Sequence, residues 1–496
     1  MKNSEFWEYA DRLRSTNSRH DKRDIMAEAM QEYDVESQFV GLFIGDVFSP
    51  ELSIGVGKKT VRKAIEKSYN VQKTTIQDAE SKYGNLSETV FDLDRPNSLT
   101  DTREEFTVSE TIDEVRDIAE TSSETRKIAM MANRISESEH PHVFIYSVLH
   151  PKKDVALGVS WKTVRDACVK AFNVGKSRFE RSYGSGYEVD VLVKRCKEGL
   201  NLSTTVYPGD RVRPMRASKS DPPYNDPDWV GQIKYDGGRL LIHRANGEIF
   251  AFTRQRHEIS DNLPELQEVD WPNAEFVVDA EAVGYDPETG EVLPFQRFME
   301  RFQREKNVDE KAEEVEIKFR LFDLLYYNND ITKLDYRDRS HKLARNFPGS
   351  MVAKDYPSLE QAYEDGLEQG HEGIIAKKID HMYEFQRSRN WRKKKPVKET
   401  VDLRVGNVLE GKGQNAGLLG SLELFTADGA YVGRVGTGFT DKNRKELWDM
   451  SLVGEIVEVE FEELQERGGD YGLRFPRFKG LRPDGEADTL ERLESL

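Results

Sequence analysis

The chain has 496 residues, 37% of them hydrophobic, which suffices for about three domains with modest cores. No apolar run reaches the length of a bilayer, and the stretch from Met1 to Glu8 is polar and charged, unlike a secretory signal, so the expectation is a soluble cytoplasmic protein that makes no use of a membrane. Two cysteines, Cys168 and Cys196, are too few for a disulfide framework or a four-cysteine zinc site, and the net charge of −17 leaves phosphate affinity to depend on where cations cluster.

The N-terminal third holds such clusters. From Lys58 to Lys73 six basic residues stand against one acidic residue, and from Lys162 to Arg181 six stand against two. These stretches are copies of one another: Gly55-Val56, Lys59-Thr60-Val61-Arg62, Ala64 and Asn70-Val71 recur 103 positions later as Gly158-Val159, Lys162-Thr163-Val164-Arg165, Ala167 and Asn173-Val174. In each copy the apolar positions (Val61, Ala64, Ile65, Tyr69; Val164, Ala167, Cys168, Phe172) keep the one-face spacing of an amphipathic helix. The first 205 residues therefore read as an all-helical domain with an internal duplication. Cys168 occupies the core slot of Ile65, which makes it a small buried hydrophobe and not a nucleophile. By periodicity alone the duplication is a scaffold; its cations Lys58, Lys59, Arg62, Lys162 and Arg165 are candidate contacts to a phosphate backbone.

Five prolines between Asn201 and Asp228 mark a linker. From Trp229 the pattern changes to short β-rich runs, among them Leu240 to His243, Ile249 to Thr253, Phe276 to Asp279, Ile317 to Leu325 and Gly373 to Ala376, which give a mixed α/β core over residues 206–398. A second boundary falls near Pro396 to Thr400. Beyond it, Leu403 to Val408, Leu422 to Phe425, Tyr431 to Val435 and Ile456 to Phe461 alternate between Gly-rich turns, and residues 399–496 suit a small β-barrel of OB type.

Within the core, Lys234-Tyr235-Asp236-Gly237-Gly238-Arg239 follows one apolar run and precedes another, which reads as strand, tight turn, strand with the lysine at the mouth of the turn. A free lysine amine is a nucleophile, but at an ordinary pKa of about 10.4 only roughly one copy in a few thousand is unprotonated near neutrality. Neighbouring cations would lower that pKa and attract phosphate. The alternative is a hairpin whose Asp-Gly serves turn geometry and whose lysine is solvated.

Further motifs follow in order: Thr253-Arg254, Val277 to Glu281, Phe319 to Tyr326, Glu372 to Lys377, Trp391 to Lys395 and Arg474 to Phe478. This collinear series resembles that of the ATP-dependent DNA ligases, members of the covalent lysyl-nucleotidyl transferases. The stretch around Ile54 to Ala64 is similar to a pattern in the helical DNA-binding domain of archaeal and eukaryotic ligases. The resemblance implies ATP as cofactor with Mg²⁺ or Mn²⁺, and nicked double-stranded DNA sealed by a monomer in replication, repair or recombination; a sliding clamp is compatible as a partner, although no residue pattern identifies one. The shortage of cysteines separates the chain from the NAD-dependent bacterial ligases, which carry a cysteine-ligated zinc module.

The resemblance also implies roles. Lys234 attacks the α-phosphate and carries AMP, Asp236 orients it, and Arg239 contacts phosphate or ribose. Arg254 binds the 5′-phosphate of the nick, for which a guanidinium fork is suited. Glu281 contacts ribose or metal, Glu372 helps hold the cation, Phe322 stacks on adenine, and Lys377, Lys393 and Lys395 surround the α-phosphate. Strand alternation puts Lys393 and Lys395 on one face, Arg392 and Lys394 on the other. Two positions depart from the family pattern. Gln232 stands where many relatives have a glutamate that accepts from the adenine amino group, and because an amide both accepts and donates, relaxed nucleotide choice is expected. The last motif, usually Arg-x-Asp-Lys, reads Arg482-Pro483-Asp484-Gly485, which leaves Arg482 as the cation on the pyrophosphate side. The alternatives are an RNA ligase or capping-type transferase, disfavoured by the duplicated helices, and a non-catalytic DNA-binding protein with a decayed core, opposed by Lys234, Glu281 and Glu372.

Overall fold

The computed structural model describes residues 1–35, 38–48, 52–93, 103–149, 155–303, 314–395, 399–411, 415–461, 463–467 and 470–496. The expected boundary near Pro396 to Thr400 lies partly outside them. The chain divides into two compact units, one of Met1–Gly55, Glu104–Ser123 and His150–Pro396, the other of Val56–Arg103, Glu124–Leu149 and Val397–Leu496.

The two copies of the N-terminal repeat adopt the same local structure, one in each unit. Gly55 and Gly158 take positive φ (61° and 66°) ahead of the helices Lys58–Tyr69 and Trp161–Phe172. Each helix stops at a left-handed asparagine, Asn70 or Asn173, a conformation asparagine tolerates better than other non-glycine residues. A second helix follows in each, Lys73–Tyr83 and Lys176–Gly184. Ile65 and Cys168 are both fully buried, as their shared core slot requires.

In the first unit the helices dock on the α/β core partly through one half-buried carboxylate. Asp46 accepts from the Tyr183 hydroxyl at 2.8 Å, from Arg256 at 2.9 Å and from Arg213 at 3.1 Å. Gly184 touches the core so closely that a Cβ there would lie 1.9 Å from that of Phe385.

Among the described residues the α/β core holds eight strands: β1 (Arg216–Ser218), β2 (Trp229–Ile233), β3 (Gly238–Ala245), β4 (Glu248–Thr253), β5 (Phe276–Tyr285), β6 (Glu316–Tyr327), β7 (Ile374–Lys378) and β8 (Arg387–Lys394). They form two four-stranded sheets, β1-β8-β7-β2 and β4-β3-β5-β6. Side chains alternate across each. Leu240, Ile242, Val278 and Ala280 pack outward against Trp271, Phe298 and Phe347, whereas Leu241, Val277 and Leu325 face the other sheet and meet Tyr383, Phe385 and Trp391. On the far side of that sheet, Trp229, Ile233, Ile374 and Ala376 pack on Leu359 and Ala362 of the helix Leu359–Glu368.

β2 and β3 do not pair with each other, so the strand-turn-strand reading at Lys234 is not a hairpin. β2 pairs with β7 and β3 with β4 and β5, and the Asp-Gly-Gly segment carries the chain from one sheet to the other. Its glycines serve close approach: a Cβ on Gly237 would lie 2.1 Å from the Ala282 carbonyl oxygen, and one on Gly238 2.7 Å from the Phe302 ring.

In the second unit, β9 (Glu399–Glu410), β10 (Leu419–Phe425), β11 (Tyr431–Val435), β12 (Ile456–Phe461) and β15 (Arg477–Leu481) form one sheet in the order β11-β10-β9-β12-β15, beside a hairpin of β13 (Glu463–Arg467) and β14 (Asp470–Arg474). Val401, Leu403, Val405, Leu422, Leu424, Val457 and Val459 alternate into one core, as expected of an OB-like domain. The expected barrel, however, does not close: β11 and β15 form no ladder, and the Phe478 amide donating to the Thr437 carbonyl at 2.9 Å links their ends.

Candidate active site

The segment after β2 is tied to the start of β7 through the main chain. The Lys234 amide donates to the Gly373 carbonyl at 2.7 Å, and the Glu372 amide donates to the Lys234 carbonyl at 3.0 Å. Gly373 has φ +112°, and a Cβ there would lie 2.3 Å from the Lys394 carbonyl oxygen, so glycine is required for β8 to come this near. The result is that the Lys234 ammonium meets the Glu372 carboxylate, whose other oxygen accepts from Lys395 at 2.7 Å.

The Lys234 pKa falls from 10.5 to about 8: burial is the largest cause and Lys395 and Lys393 add to it, whereas Glu281 and Asp236 oppose the fall. Glu281, partnered in register with Arg239 on β3, is raised by burial to about 7. An amine titrating near 8 is about one-tenth free at pH 7, hundreds of times more than an ordinary lysine.

Lys234 opens on a cleft of about 220 Å³ between the two sheets. Arg239 of β3 and Glu281 of β5 face it, as do Gln232 of β2, Ile375 and Lys377 of β7, and Trp391 and Lys393 of β8. Of the residues expected from sequence, Gln232, Lys234, Arg239, Arg254, Glu281, Phe322, Lys377 and Lys393 line this one cleft. The expected alternation along β8 is present: Lys393 lines the cleft, whereas Arg392 lies over the Trp229 ring at 4.7 Å on the opposite face.

Several of these side chains are held before any ligand arrives. Arg239 makes a fork to Asp279 (2.8 and 2.6 Å), and the Tyr383 hydroxyl donates to the same carboxylate at 2.7 Å. Lys377, 1% exposed, donates to the Phe322 carbonyl at 2.6 Å and faces the rings of Trp391 (4.3 Å), Tyr336 (4.7 Å) and Phe322 (4.9 Å). Its burial lowers its pKa to about 8. Phe322 stands edge-on to Trp391 with ring centroids 6.1 Å apart, a half-buried aromatic wall.

Sequence reasoning gave no role to Arg216, Arg387, Trp391, Asp279 or Tyr383. The first two are register partners in the parallel β1–β8 pair and line the cleft beside Arg254. Burial and mutual repulsion depress the pKa of Arg216, with Arg254, Arg387 and Arg239 contributing, and that of Arg254, with Arg239 and Arg387 contributing. Clustered guanidiniums that destabilise one another are a site for a polyanion. The signal available in sequence for Arg216 was its place in Pro214-Met215-Arg216-Ala217, the segment that resembles the one before the family's catalytic lysine.

A family model described as the ATP dependent DNA ligase domain matches residues 214–395, one described as the DNA ligase N terminus matches 2–169, and one described as the DNA ligase OB-like domain matches 410–482. The chain belongs to the ATP-dependent DNA ligases. It is 29% identical to the DNA ligase of Thermococcus onnurineus, over 100% of this chain and 98% of that one, and 27% identical to the DNA ligase of Methanopyrus kandleri, over 98% and 97%. In fold it is similar to the solved structure titled Pmar-Lig_PreS3, with a TM-score of 0.62, 19% identity, and coverage of 96% of this chain and 98% of that one.

Of the remaining expected residues of this ligase, Asp236, Glu372 and Lys395 gather at Lys234, and the others make their contacts within their own units. Arg482, half exposed in the second unit, pairs with Glu458 at 3.0 Å and Asp402 at 3.6 Å. On the first repeat helix Lys59 is exposed, whereas Arg62 forks to Glu80 (2.8 and 2.9 Å), which also lies 3.8 Å from Lys58. On the second, Lys162 is exposed but Arg165 is not. The Arg165 guanidinium, 8% exposed, sits between Asp166 and Glu180 and ties its helix to the next one.

Among the described residues no three acidic, histidine or cysteine side chains gather into a metal cage. The acids near Lys234 fit a different arrangement, since Mg²⁺ needs only one or two carboxylates when phosphates and water complete its shell.

Proposed function

We propose that this ligase seals nicks in duplex DNA through a covalent Lys234–AMP intermediate, using residues 1–205 as a helical DNA-binding domain, 206–398 as the adenylation domain and 399–496 as the OB-like domain. The observation that carries the reading is the depressed amine of Lys234 at the mouth of a cleft walled by arginines and Phe322.

Glu372, in contact with the ammonium, takes up the proton that Lys234 must lose. The free amine attacks the α-phosphorus of ATP, forming a P–N bond as the bond to pyrophosphate breaks. Phe322 stacks the base, Lys377 and Lys393 neutralise the α-phosphate, and Arg216, Arg254 and Arg387 hold phosphate oxygens, first of ATP and then of the 5′-phosphate at the nick. That 5′-phosphate displaces Lys234 from AMP, and the neighbouring 3′-hydroxyl then displaces AMP to close the strand. Mg²⁺ or Mn²⁺, held by Glu281 and Glu372, would supply charge neutralisation on the phosphates. Lys58, Lys59 and Lys162 contact the duplex backbone, and Arg482 faces the departing pyrophosphate. Among the described residues no helix is long and apolar enough to cross a membrane, and an enzyme of ATP and DNA acts inside the cell, here as a monomer.

The test uses ATP, GTP and NAD carrying label in the transferred nucleotide, followed by a denaturing gel. The wild type should carry label from ATP. Lys234→Ala should lose labelling and sealing from ATP while still binding nicked duplex. Persistent labelled protein in this variant overturns the assignment of Lys234.

A further inference from the structure

Gln232 is 2% exposed in the cleft wall. Its amide nitrogen lies 2.8 Å from Asp355 Oδ1, 2.9 Å from the Tyr336 hydroxyl and 3.5 Å from the Ala353 carbonyl oxygen. A carboxylate and a carbonyl only accept, so the two N–H groups must point toward this side. The Tyr336 hydroxyl donates its proton to Asp355 Oδ1 at 2.8 Å and thus receives from Gln232, while Ser340 donates to Asp355 Oδ2 at 2.5 Å. Burial, with the Asp355 charge adding to it, pushes the Tyr336 phenol well above its ordinary pKa, so the hydroxyl keeps that proton. One atom is left over. Gln232 Oε1 is buried and has no hydrogen-bond partner among the described residues.

An orphaned buried acceptor is costly until a donor reaches it. Turning the amide would relieve nothing, because it would set Oε1 against the Asp355 carboxylate and the Ala353 carbonyl. We propose that Tyr336, Asp355 and Ser340 are positioning residues that clamp Gln232 as an acceptor only, and that the cleft thereby selects a purine with an amino group at C6 over one with a carbonyl there. The proposal rests on the reading that the cleft delivers a purine nucleotide to Lys234. It reverses the relaxed choice expected of an unrestrained amide. A glutamate at 232 would accept without help; a glutamine needs a fixed acceptor behind it, and here the negative charge stands one layer back, on Asp355.

The experiment compares labelling of the full chain by α-labelled ATP and inosine triphosphate, which differ only in the C6 substituent and the proton at N1. The wild type should favour ATP by about tenfold or more in kcat/KM, since a site built to pair a polar group rejects the analogue that leaves it unpaired. Asp355→Asn can donate toward Gln232 and let its amide turn, so the preference should fall about tenfold, through a gain for inosine triphosphate. A purely structural role for Asp355 would instead lower both nucleotides together. In the Gln232→Glu, Asp355→Asn double variant the preference should return, because glutamate has no N–H to present.

Equal use of both nucleotides by the wild type overturns the clamp and leaves the role of Lys234 intact, whereas absence of label from either overturns the underlying reading. An unchanged preference in Asp355→Asn, or a double variant that does not restore it, also overturns the clamp. Should Asp355→Asn not fold, Gln232→Met serves: it removes the acceptor at similar volume and should erase the preference through loss of ATP, and a wild-type preference there refutes the proposal.

Discussion

The rate of self-adenylation should follow the protonation of Lys234, and the structure fixes both the midpoint and the direction in which neighbours move it. The amine falls from 10.5 to about 8. That fall corresponds to about 3 kcal/mol at 1.36 kcal/mol per unit, and it raises the free amine at pH 7 from roughly one in three thousand to about one in ten. A base with a depressed pKa gains activity as pH rises and levels off above its pKa. Single-turnover formation of the Lys234 adduct at saturating ATP should therefore climb about tenfold from pH 6 to pH 7, then bend near 8. Lys395 depresses the amine and Glu281 raises it, so Lys395→Met should shift the bend to higher pH and Glu281→Gln to lower pH, each on the order of a unit or less because burial remains the larger cause. Glu281→Gln should also lower the plateau, but the bend is read independently of amplitude. A log-linear rise through pH 9.5 in the wild type, or a shift of both variants in the same direction, refutes the electrostatic account.

Asp279→Ala would leave the Arg239 guanidinium buried without its carboxylate, and should cost about 3–5 kcal/mol of stability in denaturant melts. Lys59→Ala with Lys162→Ala should weaken binding to nicked duplex and reduce the slope of log affinity against log salt by about two, whereas Arg165→Ala should lower the melting temperature and leave that slope unchanged. Arg482→Ala should slow formation of the Lys234 adduct more than sealing of a nick that already carries AMP; slowed sealing with normal adduct formation removes Arg482 from the first step.

The repeat was legible because its signals are local. Glycine, helix and asparagine recur in order, and the backbone answers with matching positive φ at both ends of each copy. The strands of the core were legible for the same reason. What pairs with what was not: the two runs flanking Asp236-Gly237-Gly238 look like a hairpin in sequence, yet the first pairs with distant β7, Ile374 opposite Ile233, and the second with β4 on one edge and β5 on the other, Ala282 opposite Gly238. Burial of charge was hidden too. Arg165 and Lys162 share one basic stripe, and only the position of Glu180 on the next helix decides that one of them turns inward. Asp279, two residues before Glu281 on β5, falls on the same face of its strand by the alternation that was applied to β8, and following it there would have anticipated its pairing with Arg239.

Net charge concealed the site in a related way. A chain at −17 owes its phosphate affinity to a few cations whose field is not cancelled locally. Beside the cleft Asp279 occupies Arg239 and Glu372 occupies Lys234 and Lys395, whereas Arg216 and Arg254 are depressed by burial first and then by the repulsion of neighbouring guanidiniums, Arg387 among them. That repulsion is borne by the folded protein without ligand and, in the proposed function, is relieved when a triphosphate or a DNA 5′-phosphate enters, so it favours binding of polyanions over neutral ligands of equal size. The same arrangement explains the division among the cations. Those with a carboxylate partner are fixed in place, and one of them, Lys395, tunes Lys234, whereas in the proposed function those set against each other supply the attraction for phosphate.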